Sequence, residues 1–362
     1  MEDTDAWLLL NASELTSSRQ NALLDEFGSA RAILGATDER LAAVDGITAR
    51  EVKKLRTAEE KLDLAETKEA MVEWGLHLVP RTSEEYPELL EEIDGPPAML
   101  FVQGQLPDGP AVAIVGTRKC TPYGRQVARK LAQNMARRGF TIISGMAEGI
   151  DGEAHRGAIE GGGRTVAVLG CGPDVTYPRS HRELRDEIAA NGAVVTEYAM
   201  GARPLRHRFP ARNRIISGLS LGVVVAEAPA RSGALITARL ASEQGREVFA
   251  VPGNVNNATS KGCHELIKDG ANLVEVAEDI VEGLGIMLDA VPMRSAEKSE
   301  EIELTPDEQR IMDALSHDPV SVDAVAEATG LNVASLNSTL MMMEMKELVR
   351  RFPGNMYVKT PR

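Results

Sequence analysis

Between positions 203 and 214 the chain carries five arginines, Arg203, Arg206, Arg208, Arg212 and Arg214, together with His207 and no acidic residue. A guanidinium presents a planar fork of donors that matches phosphate oxygens and can also stack on a base. A solvated charge run would mix signs or lead into disorder. This one runs straight into a helical pattern and a buried apolar strand, so its cations are held in place. Unneutralised arginines this close repel one another in the free protein, and a polyanionic partner is the simplest relief of that cost.

Three more segments join glycines to polar or cationic groups. GTRKCTPYG holds Gly116, Arg118, Lys119 and Gly124; SGMAEGID holds Ser144, Gly145, Ala147 and Gly149; GCGPDVTYPRSHREL holds Gly170, Gly172, Tyr177 and Arg179. Each follows a short β-branched run. A Gly-rich turn opening a helix can cradle a phosphate, because nothing larger than hydrogen blocks the backbone's approach. A lone glycine often serves only to pack a helix on a sheet. Three successive strand ends of this kind, two of them with arginine, exceed what packing requires.

Catalytic chemistry is harder to find. Asp151 and His155 stand four apart, which suits a metal or a general base on one helix face. The plainer reading makes Asp151 the helix N-cap and His155 an interior hydrogen-bonding residue, since no second ligand lies at metal spacing. Cys171 between two glycines suits a small buried residue in a tight turn better than a nucleophile. No GxGxxG follows the first strand of the alternating region, the next strand ends in Ser144-Gly145 rather than an acid, and there is no GxxxxGK[ST]. These patterns exclude a P-loop enzyme and argue against a nicotinamide enzyme.

The elements that must position these groups alternate in type. The runs AVAIVGT, FTIISG, TVAVLG, GAVVTEY, LGVVVAEA, EVFAVPG and NLVEV are mostly separated by helical patterns. Continuous apolar strands spaced this way are buried on both faces, which predicts an α/β fold with a doubly wound parallel sheet of extended Rossmann-like type. Ligands of such sheets bind at the carboxyl ends of the strands, where the segments above fall. Residues 1–75 read as short amphipathic helices. LAAVDGITAREVKKL among them resembles a helix-hairpin-helix, although an interaction or spacer module fits the local charge better. Residues 76–285 form the α/β domain, entered through a transitional stretch with one strand, AMLFVQG. Residues 286–304 form a Pro/Ser/Glu-rich linker. Residues 305–362 read as three helices and a two-stranded ending, the order of a winged helix. In that last region the Met run of NVASLNSTLMMMEMKELV reads as core, with no basic residue before Lys346.

The net charge of −14 is uneven. Residues 1–110 carry 10 Lys/Arg against 23 Asp/Glu, residues 111–285 carry 22 against 18, and the remainder carries 8 against 13. Two acidic flanks thus enclose a mildly basic middle, and partners must be argued region by region. Three scattered cysteines without a CxxC pair suit a reducing cytoplasm. Nothing resembles a signal peptide, and no apolar stretch approaches the roughly 18 residues needed to span a bilayer.

Taken together, IVGTRKCTPYG, ISGMAEGIDGEAH, VLGCGPDVTYP, FPARNRIISGLS, VAEAPARSGALITARLASEQGREVFAVPG and KGCHELIKDGANLV resemble the DprA (Smf) family of DNA-processing proteins of natural transformation. The match runs unbroken over residues ~80–285. The flanks match in kind, a SAM-like helical domain before the α/β domain and a winged helix after it. The resemblance implies a cytoplasmic protein that binds single-stranded DNA, loads the recombinase RecA onto it, needs no cofactor or metal, and acts as a homodimer. It implies phosphate contacts from Arg118 and Arg179, and backbone contacts around Gly116, Ser144, Gly145, Ala147 and Gly149. Arg212, Asn213 and Arg214 would complete the basic pocket, and His264, Ile267 and Leu273 would lie on the dimer and recombinase surface. The rival from another class is a nucleoside-monophosphate-binding Rossmann-like hydrolase with a Gly-rich phosphate turn and a catalytic Glu. In ARSGALITA the first acid to follow is Glu243, so the pair that acid–base chemistry needs is missing.

Overall fold

The apolar runs build one nine-stranded sheet in the order β1-β2-β6-β5-β4-β3-β7-β8-β9. Its strands are β1 (Leu76–Pro80), β2 (Met99–Gly104), β3 (Ala111–Gly116), β4 (Thr141–Ser144), β5 (Thr165–Val168), β6 (Gly192–Thr196), β7 (Gly222–Glu227), β8 (Glu247–Ala250) and β9 (Asn272–Leu273). From β6 across to β9 every pairing is parallel. β1 and β2 add an antiparallel margin beyond β6. β1 lies in the stretch that reads as transitional, because its run LHLVP is interrupted by a histidine and ends on proline. The computed structural model describes residues 2–285, 304–315, 320–345, 348–352 and 356–359. They belong to two compact units, Met1–Ala296 and Glu297–Arg362. The expected linker, 286–304, lies outside the described residues apart from Leu304.

Seven helices precede the sheet: α1 (Asp3–Ala12), α2 (Ser17–Phe27), α3 (Ala30–Gly35), α4 (Asp38–Ala42), α5 (Ala49–Arg56), α6 (Ala58–Lys61) and α7 (Leu64–Glu73). Their apolar faces, including Trp7, Leu23, Ile33 and Leu55, pack with Met99 and Phe101 of β2 in one core. The helical module therefore shares a core with the sheet. After the short α8 (Glu88–Glu91) come α9 (Pro122–Arg137), α10 (Ile150–Glu160), α11 (Arg182–Ala190), α12 (Arg208–Gly218), α13 (Gly233–Glu243), α14 (Lys261–Lys268) and α15 (Ala277–Gly283).

Alternation along β3 assigns these helices to two faces. Val112 and Ile114 pack with Leu131 and Met135 of α9, Ala154 of α10 and Ile280 of α15. Ala113 and Val115 pack with Ile215 and Ile216 of α12 and Ala238 of α13. After β6 the chain crosses to the far side of β3. The carboxyl ends of β3, β4 and β7 thus surround a topological switch point, the usual ligand crevice of such sheets.

The second unit holds α16 (Pro306–Ala314), β10 (Val320–Ser321), α17 (Val322–Thr329), α18 (Val333–Met345), β11 (Val349–Phe352) and β12 (Met356–Lys359). Its strands pair in the order β10-β12-β11, which gives the winged-helix arrangement with one strand more than the sequence suggests. The Met run is not all core: Met343 is buried with Leu336 and Leu340, whereas Met341 and Met342 are exposed. Helical periodicity allows only one of three successive residues to face the bundle. Lys346 lies outside the described residues.

Candidate phosphate-binding site

Two glycines bring the ends of β3 and β4 together. A β-carbon on Gly116 would lie 2.5 Å from Ile150 Cγ1, and one on Gly149 would lie 2.4 Å from the Thr117 carbonyl oxygen. Gly149 also has φ of 82°, where any other residue is strained. The loop carrying Arg118 and Lys119 can therefore lie directly on the N-terminus of α10. It is pinned there by Ile150 N–H donating to Thr117 O (3.2 Å) and Thr117 N–H donating to Glu227 O (2.7 Å). Arg118 and Lys119 point outward and are exposed.

The turn from Ser144 to Gly149 is held from beneath. Ser144 is buried and its hydroxyl donates to Ile114 O at 2.6 Å. Met146 has φ of 56°, a left-handed conformation costly for a residue with a side chain. Its buried side chain and the bond from His181 Nδ1 to its carbonyl (3.0 Å) hold it there. The cap of α10 is Gly149, not Asp151, as Gly149 supplies the non-helical conformation before the first turn. Asp151 sits inside that first turn and accepts from Ala147 N–H at 3.4 Å, so this N–H faces the protein interior. Burial pushes the Asp151 carboxyl pKa up, opposed by the charge of Arg212 and by the N–H groups of Ala147 and Gly145.

Arg212 is not a surface cation. It is buried beneath the turn, where Nη1 donates to Gly145 O at 2.9 Å and to Val168 O. Gly145 is required for this: a β-carbon there would lie 2.4 Å from Arg212 Nη2. Arg214, two residues on, leaves the expected pocket altogether. Its guanidinium pairs with Glu197 (2.7 Å) and reaches Ser17 Oγ (2.9 Å) and Gly95 O (3.1 Å), which ties α12 to the helical module. Glu197 lies outside the arginine run, so sequence alone could not show this neutralisation. Asn213 is also buried, with Nδ2 donating to Gly233 O at 3.3 Å. The helix begins at Arg208, within the run, and Arg203, Arg206 and His207 stay exposed ahead of it. Arg208 lies over the Tyr198 ring at 4.7 Å.

The outer wall is aromatic. Phe209 rests against Gly170, where a β-carbon would lie 2.9 Å from its ring. The Arg118 guanidinium lies 5.2 Å from the Phe209 ring centre, Arg212 lies 6.0 Å away, and Tyr177 meets the same ring at 5.3 Å. Tyr177 is 37% exposed, and Arg179 is exposed two residues later at the start of a 3-10 turn. Low aromatic content hides this cluster in the sequence. The signal that could have found it was the recurrence of Phe209 and Tyr177 beside the arginines at strand ends.

The carboxylates nearby are engaged. Glu227, at the end of β7, is the acid that sequence reading overlooked because it precedes the ARSGALITA segment. It is buried, accepts from Thr121 N–H (2.8 Å) and the Thr121 hydroxyl (3.2 Å), and also accepts from the Thr259 hydroxyl. Glu243 lies at the other end of α13 in a surface pair with Arg239. Glu148 at the rim accepts from Ser180 Oγ at 3.2 Å. His155 is wholly buried and takes Thr165 Oγ1 as partner at 2.7 Å; the Thr165 hydroxyl itself donates to Ile142 O. The imidazole proton must then sit on Nδ1, and burial pulls the pKa down to about 3. Cys171 is buried with its pKa raised to about 11, which makes it a poor nucleophile. Among the described residues no group of three His, Cys, Asp or Glu is placed to hold a metal ion.

The second expected surface lies along the far edge of the sheet. Leu273 of the edge strand β9 is exposed, and Ile267 is half-buried against the core. His264 is half-buried, its Nε2 3.0 Å from the Gly253 carbonyl oxygen.

Comparison with known proteins gives one consistent family. A family model described as DNA recombination-mediator protein A matches residues 77–285, and one described as DprA winged helix domain matches residues 295–355. Protein Smf of Escherichia coli is 41% identical over 296 residues, covering 79% of this chain and 78% of that protein. The X-ray structure of DNA processing protein A from Streptococcus pneumoniae superposes with a TM-score of 0.68 at 35% identity, covering 78% of this chain and 98% of that one. DNA processing protein A from Helicobacter pylori, described for its single-stranded DNA binding mode, matches with a TM-score of 0.52 at 30% identity over 58% of this chain and 96% of that one. Among the described residues no helix is long and apolar enough to cross a membrane.

Proposed function

This chain belongs to the DNA recombination-mediator protein A family, also called DprA or Smf, and from that premise we propose that it grips single-stranded DNA by its phosphates at the carboxyl ends of β3, β4 and β5. The observation that carries this reading is exposed Arg118 against the Tyr177–Phe209 wall, with Arg179 exposed two residues beyond Tyr177, beside strand ends whose close approach needs glycine at Gly116 and Gly149. In this arrangement Arg118 and Arg179 take the phosphates, and the turn through Ser144, Gly145, Ala147 and Gly149 with Gly116 shapes the seat. Tyr177 offers a ring face to a base. Arg212 and Asn213 support the seat without touching the strand, and Arg214 braces the helical module. Family likeness further supports delivery of the bound strand to the recombinase RecA, with Ile267 and Leu273 on the homodimer and recombinase surface.

The role is binding and transfer rather than catalysis, because Glu227 and Asp151 are spoken for by hydrogen bonds and His155 is sealed in the core. The test is a binding titration of single-stranded against duplex oligonucleotides, with and without RecA. With Arg118 and Arg179 as the two phosphate contacts, log K against log[salt] should have a slope of about −1.4 for a single strand that fills only the pocket. Equal affinity for duplex, or release of base from AMP or CMP, would overturn the proposal.

A further inference from the structure

A second group of arginines stands one helical turn away from the pocket. Glu153, in the first turn of α10, is almost wholly buried and is surrounded by three guanidiniums. Arg156 Nη1 lies 3.2 Å from it, Arg129 Nη1 3.5 Å and Arg125 Nη1 3.9 Å. Arg129 is also committed to Glu160, with Nε at 2.7 Å from Oε2. One carboxylate is thus left between Arg125 and Arg156, and it cannot cancel both. Their side chains are 60% and 35% exposed, so the surplus charge faces solvent from a fixed position.

This ridge adjoins the pocket. A β-carbon on Gly152 would lie 2.8 Å from His181 Cε1 and 3.2 Å from Arg156 Nη1, so Arg156 and His181 meet over one bare backbone patch. His181 closes the same short turn that Arg179 opens. On the other flank, α11 exposes Glu183, Asp186 and Glu187, which repel a polyanion. We propose that a strand leaving the pocket runs over the α9–α10 ridge, where Arg125 and Arg156 hold its next phosphates. The buried Glu153 acts as a hub that keeps both forks extended before the strand arrives, so little side-chain freedom is lost on binding.

The inference rests on the phosphate-pocket reading and is tested so that the two can fail separately. Full-length protein is titrated with a short oligothymidylate that fills only the pocket and with one several times longer. The unaltered chain should favour the longer strand. Arg125→Gln with Arg156→Gln should remove that preference and flatten the long-strand salt slope by about 1.4, the value for two phosphate contacts on a single strand. The short strand should bind as before. Arg182→Gln, a single charge removed from α11, is the control for net charge alone. Long-strand affinity unchanged in the Arg125/Arg156 variant, or lowered as much per charge by Arg182→Gln, would overturn the ridge while leaving the pocket intact. Failure of the unaltered chain to bind either length would overturn both.

Discussion

The two ends of one sheet carry opposite chemistry. At the carboxyl ends of the parallel strands, helix N-termini converge with exposed Arg118, Lys119 and Arg179. At the amino ends, a cavity of about 840 Å³ opens between Glu84, Glu85, Glu88 and Asp108, over a floor that includes Val79, Ile143 and Val166. Parallel strands force this polarity, because every crossover returns its helix with the N–H-rich end on the same side. The carboxyl end therefore presents cations and backbone N–H groups, whereas the cavity at the amino end sets four carboxylates against the one arginine of its lining, Arg164, although the chain as a whole is strongly acidic. Net charge averages over the very contrast that matters.

That contrast can be broken most severely from beneath. Arg212→Met strands the buried Asp151 and leaves the Gly145 and Val168 carbonyls without their donor; it should cost about 3–5 kcal/mol, read as a lowered urea midpoint. Next comes the surface. Arg118→Ala with Arg179→Ala removes two charge-assisted contacts and should weaken single-strand binding by about 3 kcal/mol, roughly 100-fold, for all sequences alike. A loss confined to certain sequences would contradict a backbone grip.

Acid should act on the core behind α10. The folded pKa of His155 lies far below its unfolded value of 6.5, so its contribution to stability is present above pH 6.5 and is lost as pH falls toward 3. Each pH unit in that window should cost about 1.4 kcal/mol, a slope that His155→Gln flattens in denaturant titrations. Arg214→Ala should cost about 1–2 kcal/mol of stability through its partly buried bond to Glu197, with oligonucleotide affinity retained. The smallest effect belongs to the amino end: Glu84→Gln with Glu88→Gln should change single-strand affinity less than about twofold at physiological salt, because charges beyond a Debye length of about 8 Å are screened.

The strands were legible because burial on both faces demands continuous apolar runs, and seven of the nine lie in the alternating runs. β1 was missed because LHLVP is a run of only five residues, broken by exposed His77 and closed by proline, although Leu76 and Val79 are buried on its two faces. The arginine run was legible as a concentration of cations, yet its members divide four ways, with Arg208 half-buried over the Tyr198 ring. Arg212 is buried under the turn, Arg214 is bonded to Glu197 and Ser17, and Arg203 and Arg206 remain exposed. The Arg208–Gly218 helix explains why Arg212 and Arg214 part, since residues two apart on a helix face nearly opposite directions, while Arg203 and Arg206 precede it.

The sequence by itself determined the doubly wound sheet, the order of its parts, and the glycine-bearing strand ends where a phosphate could lie. These follow from local rules: periodicity of burial, and backbone conformations open only to glycine. Only the tertiary structure decided which cations face solvent. It buried Arg212 beneath the Ser144–Gly149 turn, joined Arg214 to Glu197 across the chain, seated Phe209 between Arg118 and Tyr177, and revealed Glu227 as a hydrogen-bonded anchor. A charge is neutralised by whatever lies within a few ångströms, and that neighbour is chosen by the packing of distant segments rather than by spacing along the chain.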